Sequence, residues 1–346
     1  MLWTRSLVIA AALLVAAGTA CGGDVVDVTN GLPNKVRVVA AVPGKDKVLA
    51  FSGEAYGPAT GWSTIDGGTT WKQIGQGAGS EKLTVQPLGI LFDPEHSDTF
   101  WVFGNFKGKT GGVLKTTDGG ETFAGLHCQE AEGLSVDFSD PKRQTLVIGR
   151  HEHTQEVYKS TDGGATWTDI GKTLPADAAR SQYPLVIDSK TYLIGCSFTI
   201  PYGTGSAKGT PGIYRTTDGG STWALVSPLA VFQNPLVVDK KIYWTYYNAE
   251  KKDGGMLLSD DQGLTWKALA TGGLNYAVMP MALPGGKIAA MKKSKAITIS
   301  DNGGTAWTDL TPAMTLRDPA GATYNSVSKA FFAWKINGTV QCLNIP

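Results

Sequence analysis

The sequence predicts an all-β chain closed into a single ring of seven four-stranded sheets, a seven-bladed β-propeller. Three observations predict it. A turn motif recurs six times. Its copies are spaced as sheet-sized units should be. The segments between them are short apolar, aromatic and β-branched runs with no helical periodicity. The recurrences are Thr64 to Trp71, Thr116 to Phe123, Ser160 to Trp167, Thr216 to Trp223, Ser259 to Trp266 and Ser300 to Trp307, sharing S/T-x-D-x-G-x-T-W. Glycine is abundant, 44 of 346 residues, almost twice the usual ~7%. Such an excess goes with many tight turns.

The motif has a physical basis. Asp-Gly between apolar runs is a hairpin signal, because glycine takes the positive φ that the turn needs. The carboxylates of Asp66, Asp118, Asp162, Asp218 and Asp261 can accept bonds from N–H groups of their own turns, and the Ser or Thr two residues earlier can join them. The Trp at the end gives the outgoing strand an apolar anchor. In the sixth copy Asn302 replaces Asp and Ala306 replaces Thr, which predicts a weaker network. All six residues read as structural staples, with no metal or catalytic role.

The copies lie about 47 residues apart on average, a propeller-like repeat, so the chain after residue 20 holds about seven units. The seventh lacks the motif. Its strands are expected at Ala322 to Ser326, Ala330 to Lys335 and Gly338 to Asn344. A strand near Asp24 to Val28 would complete it from the N-terminal side and tie the ring shut. Six blades with loose ends is the alternative. Strands are also expected at Thr99 to Phe103, Thr145 to Ile148, Tyr192 to Gly195 and Lys241 to Thr245.

Residues 1–20 read as a signal peptide, leaving residues 21–346 as the propeller domain. Arg5 flanks an apolar run from Leu7 to Ala17, too short to span a bilayer. Gly18-Thr19-Ala20-Cys21 is similar to a bacterial lipobox, although Gly18 is smaller than the usual aliphatic residue. Cys21 would then carry the lipid, and Gly22 fits the outer-membrane class. Ordinary cleavage after Ala20, releasing a soluble protein, is the alternative. Either way the expected location is the bacterial envelope or the exterior. The remaining cysteines, Cys128, Cys196 and Cys342, are odd in number and form no CxxC pair, which argues against a full disulfide framework and a thiolate metal site; one bridge remains open, with partners that the sequence does not give. A net charge of +1 without a basic run excludes a polyanion groove and hence nucleic acid as a partner.

The motif resembles the Asp-box, or BNR repeat, of sialidases, sortilin-type propellers, xyloglucan-active hydrolases and a photosystem II assembly factor. The resemblance implies that the boxes join the third and fourth strands of each blade, on the face opposite the ligand site. Function is then expected on the loops between second and third strands and between blades. Two features of those loops stand out. His127, His151 and His153 fall on adjacent blades beside Glu130, Glu132, Arg150 and Glu152, as a metal or proton-transfer site would require; a solvated hairpin tip is the plainer reading, so no metal or other cofactor is expected. Aromatic and amide side chains are also dense, with Tyr56, Asn105, Phe106, Tyr202, Tyr246, Tyr247, Asn275 and Tyr276 as candidates to stack on sugar rings and bond hydroxyls. Turn geometry and packing explain them equally well.

No sialidase site transfers. The first Arg of the mature chain, Arg37, is followed by Val38 and Val39 rather than by an Arg-Ile-Pro-like element, and only six Arg follow residue 20. Phe92-Asp93-Pro94 before a strand and then a box resembles the texture of the xyloglucan-active hydrolases, which use two propellers facing a cleft. Seven-bladed polysaccharide lyases use His, Tyr and Arg. For such chemistry His127, His151, His153, Tyr183 and Arg150 are the candidates. The leading expectation is an envelope lipoprotein that binds a glycan or a partner protein without catalysis. The alternative is a glycan-active enzyme, a lyase or glycoside hydrolase, with its site on the loop face of blades two to four.

Overall fold

The structure is a computed structural model that describes residues 23–344, except 34, 54–58, 83, 106–111, 129, 151, 198–208, 249, 270–272, 317 and 337. Tyr56, Phe106, His151 and Tyr202 therefore lie outside the described residues, as does Cys21.

The described residues form seven antiparallel sheets, each one blade. From the channel outward, blade 1 holds Val36–Ala41, Val48–Gly53, Ala59–Thr64 and Lys72–Ile74, and blade 2 holds Gln86–Phe92, Phe100–Asn105, Val113–Thr116 and Ala124–Gly125. Blade 3 holds Ala131–Val136, Leu146–Arg150, Val157–Ser160 and Thr168–Asp169, and blade 4 holds Arg180–Val186, Tyr192–Ser197, Gly212–Thr216 and Ala224–Ser227. In blade 5 the inner strand is split into Ala230–Val231 and Leu236–Val238, both paired with Lys241–Asn248, followed by Asp253–Ser259 and Lys267–Leu269. Blade 6 holds Met281–Leu283, Lys287–Met291, Ile297–Ser300 and Thr308–Asp309. Blade 7 holds Gly321–Asn325, Ala330–Trp334 and Val340–Asn344, and its outer strand is Val25–Asp27, with Val26 opposite Cys342. The N-terminal strand thus closes the ring as expected, and the six-blade alternative falls. Helix is limited to two three-residue 3-10 turns among the described residues.

Strand position within a blade dictates composition. The second strand is packed against neighbouring blades on both faces, so it reads as an unbroken apolar run rather than an alternation. Phe100–Asn105, Tyr192–Ser197 and Ala330–Trp334 are buried at every residue. The outer strands are short and largely exposed. The core consequently lies between blades: Phe51 of blade 1 meets Phe123 of blade 2 edge-on at 6.3 Å between centroids.

The six recurrent turns join third to fourth strands, and in five of them the same bonds recur. Thr116 Oγ1 donates to Asp118 Oδ1 at 2.7 Å and accepts from Gly120 N at 3.1 Å, and Thr122 Oγ1 donates to Asp118 Oδ2 at 2.6 Å. The Thr166 hydroxyl and amide hold Asp162 at a pKa of about 2, and Thr265 does the same for Asp261. In the sixth turn Ser300 and Ala306 N still bond Asn302 Oδ1, both at 2.9 Å, but the threonine hydroxyl bond is gone, as the sequence predicts.

The glycine two residues after the Asp (or Asn302) of each turn is the joint between blades. Gly164 has φ +98°, a region closed to side chains, and a Cβ there would stand 2.7 Å from Leu126 Cδ1, at the end of the preceding blade. Gly220 meets Ile170 the same way. The Trp indole N–H completes several joints: Trp71 Nε1 donates to Val28 O at 3.0 Å, across the closure, and Trp167 Nε1 to Leu126 O at 3.0 Å.

Candidate functional site

Strand polarity fixes two faces. The turns just described lie at the end where inner strands finish. The other end gathers the starts of the inner strands, the loops between second and third strands, and the connections between blades. That second face carries a cavity of about 260 Å³, running down the channel beside blades 1, 2 and 7.

Its wall follows from the fold. The inner strand of each blade edges the channel, and its side chains alternate toward the neighbouring blades. Blade 1 supplies Arg37 and Val39, blade 2 Gln86, Leu88 and Ile90, and blade 7 Ala320, Ala322 and Trp334. The far wall is Glu132, Gln233, Asn234 and Met279. Gln233 and Asn234 reach it because the inner strand of blade 5 is interrupted there. The interruption bulges inward, with Gln233 at φ +58° and its carbonyl held by Trp244 Nε1 at 2.9 Å. Asn234 Nδ2 donates to Leu134 O of blade 3 at 3.0 Å, so the bulge crosses in front of blade 4 and narrows the channel on that side.

The polar groups here are of two kinds. Tyr183 is buried and hydrogen-bonded to Glu132 and to the Gln233 backbone; burial drives its phenol well above the ordinary pKa, and the Glu132 charge adds to the shift. Gln86 Oε1 and Asn234 Oδ1, in contrast, are buried without a hydrogen bond. Unmade bonds of this kind cost about 1–3 kcal/mol each. Arg37 is half-buried, which lowers its pKa, and its Nε donates to Gly53 O at 3.2 Å.

The sequence-derived candidates divide between this cavity and its rim. Tyr183 stands behind the cavity wall. Asn105 is buried as the cross-strand partner of Gln86. Tyr276 lies between Phe232 and Tyr247, with centroids 5.0 and 4.8 Å away, so these rings pack on one another. Tyr246 is half-buried in the same blade, and Asn275 Nδ2 donates to Pro319 O at 3.4 Å. His127 is exposed at φ +48°. His153 Nδ1 sits 3.0 Å from Glu156 Oε1, and Arg150 Nη1 donates to Glu156 Oε2. Glu156 also accepts from Tyr158 at 3.2 Å. Partial burial would raise the Glu156 pKa, but Arg150 and then His153 bring it down. Arg150 and His153 are thus brought together by Glu156, and on the same rim Arg180 pairs with Glu152 at 3.2 Å.

Among the described residues, the one group with metal-holding spacing is Asp93, Glu95 and His96, on the opposite face. Arg143 already occupies both of its carboxylates. Cys128 and Cys196 are free and buried, and burial pushes the Cys128 thiol up to about 12. Sequence reasoning missed Arg37 and Gln86 as cavity groups. The available signal was their position as the first or second residue of an inner strand, where a polar side chain faces the channel.

No family model matches the chain. Its sequence is similar to a xyloglucanase of Paenibacillus sp, 23% identical over 261 residues, which is 69% of this chain and 22% of the relative. It is also similar to a xyloglucanase of Hypocrea jecorina, 22% identical over 295 residues, 78% of this chain and 31% of the relative. The chain therefore spans less than a third of these relatives. Among solved structures, the GH74 xyloglucanase of Xanthomonas campestris superposes with a TM-score of 0.61 at 16% identity, over 93% of this chain and 53% of that one. YCF48 bound to D1 peptide superposes at 0.56 with 12% identity, over 93% and 97%. These likenesses agree with the seven sheets described above, and the sequence relatives of this propeller are xyloglucanases.

Proposed function

We propose that the protein is glycan-active: it takes a polysaccharide at the channel mouth and hydrolyses it as a glycoside hydrolase, with Glu132 the carboxyl group at the scissile bond. The observation that carries this reading is that a carboxylate, Glu132, lines the cavity in a chain whose sequence relatives are xyloglucanases. Tyr183 acts as a positioning residue. Its buried phenol holds the Glu132 carboxyl against the wall. The amides of Gln86 and Asn234 suit sugar hydroxyls, and Leu88, Ile90 and Trp334 give the apolar surface that sugar rings need. A lipid at Cys21 would hold this machinery on the bacterial envelope.

Glycoside hydrolysis ordinarily uses two carboxyl groups. The second would come from a surface facing the mouth. The lone carboxylate favours a second reading, glycan binding without turnover.

Reducing-end release from neutral and acidic polysaccharides, xyloglucan and polygalacturonate among them, separates the two. Under the hydrolase reading the wild-type chain releases ends, and Glu132→Gln lowers the rate by about 100-fold or more while oligosaccharide binding by calorimetry persists. Binding without release by the wild type would favour the second reading, and neither binding nor release would sink both.

A further inference from the structure

Arg37 is the one cation that lines the cavity among the described residues. It lines the cavity from the inner strand of blade 1, and its Nε is taken by Gly53 O. Its two terminal nitrogens, Nη1 and Nη2, have no hydrogen-bond or ion-pair partner among the described residues. The opposite charge in the cavity, Glu132, is engaged with Tyr183. The guanidinium stands in the cavity beside Val38, Val39 and Trp334 with no counter-ion, a place an anionic ligand group would fill. Its planar fork matches a carboxylate through two parallel bonds. Gln86 is the second group: only 9% exposed, it lines the same cavity and its Oε1 has no donor. The last torsion of a glutamine is soft, so Oε1 can turn toward a bound hydroxyl. At about 260 Å³ the cavity lies below the ~300–1,000 Å³ of drug-sized ligand sites and suits a single sugar unit.

We propose that the cavity binds a uronate, the carboxylate-bearing unit of an acidic polysaccharide, with its carboxylate on Arg37 Nη1 and Nη2 and a hydroxyl donating to Gln86 Oε1. This deepens the glycan reading above and rests on it. The carboxylate distinguishes the substrate from neutral xyloglucan.

The test is calorimetry on the mature chain at low salt, with trigalacturonate, its carboxyl-reduced neutral counterpart, a xyloglucan oligosaccharide and a triglutamate peptide. Trigalacturonate should bind at least about tenfold tighter than its neutral counterpart. Arg37→Gln should lower that affinity about 10- to 100-fold and lower the affinity for the neutral saccharides much less. Arg37→Lys, which keeps the charge and loses the fork, should fall between, and Gln86→Met should weaken acidic and neutral trimers alike. Equal affinity for the acidic and neutral trimers, or an Arg37→Gln chain with wild-type affinity and melting temperature, would overturn the uronate while glycan binding stands. Triglutamate binding as tightly as trigalacturonate, and lost with Arg37, would make the site a docking point for acidic peptide. No saccharide binding at all would remove the glycan reading itself.

Discussion

Replacing Arg143 with Met should unsettle the ring more than any change at the mouth. Arg143 is 6% exposed and Asp93 3%, and they join the loops below blades 2 and 3. Arg143 Nε donates to Asp93 Oδ2 at 2.8 Å and Nη2 to Asp93 Oδ1 at 3.0 Å, while Nη1 donates to the carbonyls of Phe138 and Asp140 at 2.9 and 2.8 Å. Removing one partner of a buried pair costs about 3–5 kcal/mol, because the other charge stays buried. An unfolding entropy of about 2.1 cal/mol/K per residue over roughly 320 residues makes about 4 kcal/mol equal to a Tm loss of about 6 °C. Burial alone would raise the Asp93 pKa; the bonds from Arg143, with the amides of Glu95 and His96, bring it instead to about 2. A folded value below the unfolded one contributes stability that is complete above about pH 4 and disappears as pH falls through about 2, roughly 2–3 kcal/mol in all. Differential scanning calorimetry from pH 2 to 7 reads both effects. Asp93→Asn should flatten this part of the acid limb. The double variant Asp93→Leu with Arg143→Met should recover most of the single variant's loss, since an apolar pair can replace a buried ion pair at little cost. A single variant within 2 °C of wild type, or a double variant as unstable as the single, would refute the reasoning.

The inter-blade joint and the N-terminal anchor can be tested alongside. Gly164→Ala forces a Cβ into Leu126 at a φ of +98°, so it should cost about 2–4 kcal/mol and lower Tm by several degrees; Gly79→Ala, whose Cβ would meet nothing within 4 Å, controls for the strain of positive φ alone. The lipobox reading of residues 18–21 predicts metabolic labelling with palmitate in the wild type and none in Cys21→Ser, and an unlabelled wild type would refute it.

The fold was legible because its turns are chemically closed. Each recurrent Asp is bonded within eight residues of chain, so the pattern needs no distant partner, and the spacing of six such units counts the blades. The second strands were equally readable, since burial on both faces removes the polar alternation that obscures other strands. Val25–Asp27 was placed by topology rather than pattern: a ring with an unpaired outer edge in blade 7 needs a strand, and the N-terminal side had one free.

The mouth was less legible, for a reason that belongs to the architecture. Groups that share the cavity are far apart in sequence: Arg37, Gln86, Glu132 and Asn234 come from four blades. No local spacing links them, and none sits in a motif. Loop residues drew notice because histidines and tyrosines cluster along the chain, as His127, His151 and His153 do. Yet the described rim side chains largely satisfy one another, Arg150 and His153 through Glu156, and Tyr247 through Tyr276. The unmet valences lie deeper, at the first residues of the inner strands, where Arg37 and Gln86 face the channel. In a ring of repeated sheets those positions recur once per blade. Four inner strands carry a charged or amide side chain in their first two residues, Arg37, Gln86, Glu132 and Arg180, and of these Glu132 and Arg180 are engaged by Tyr183 and Glu152. Reading a propeller for function is therefore better done across blades than along the chain, by aligning the seven inner strands and asking which first positions hold a charge or an amide that its own blade does not need.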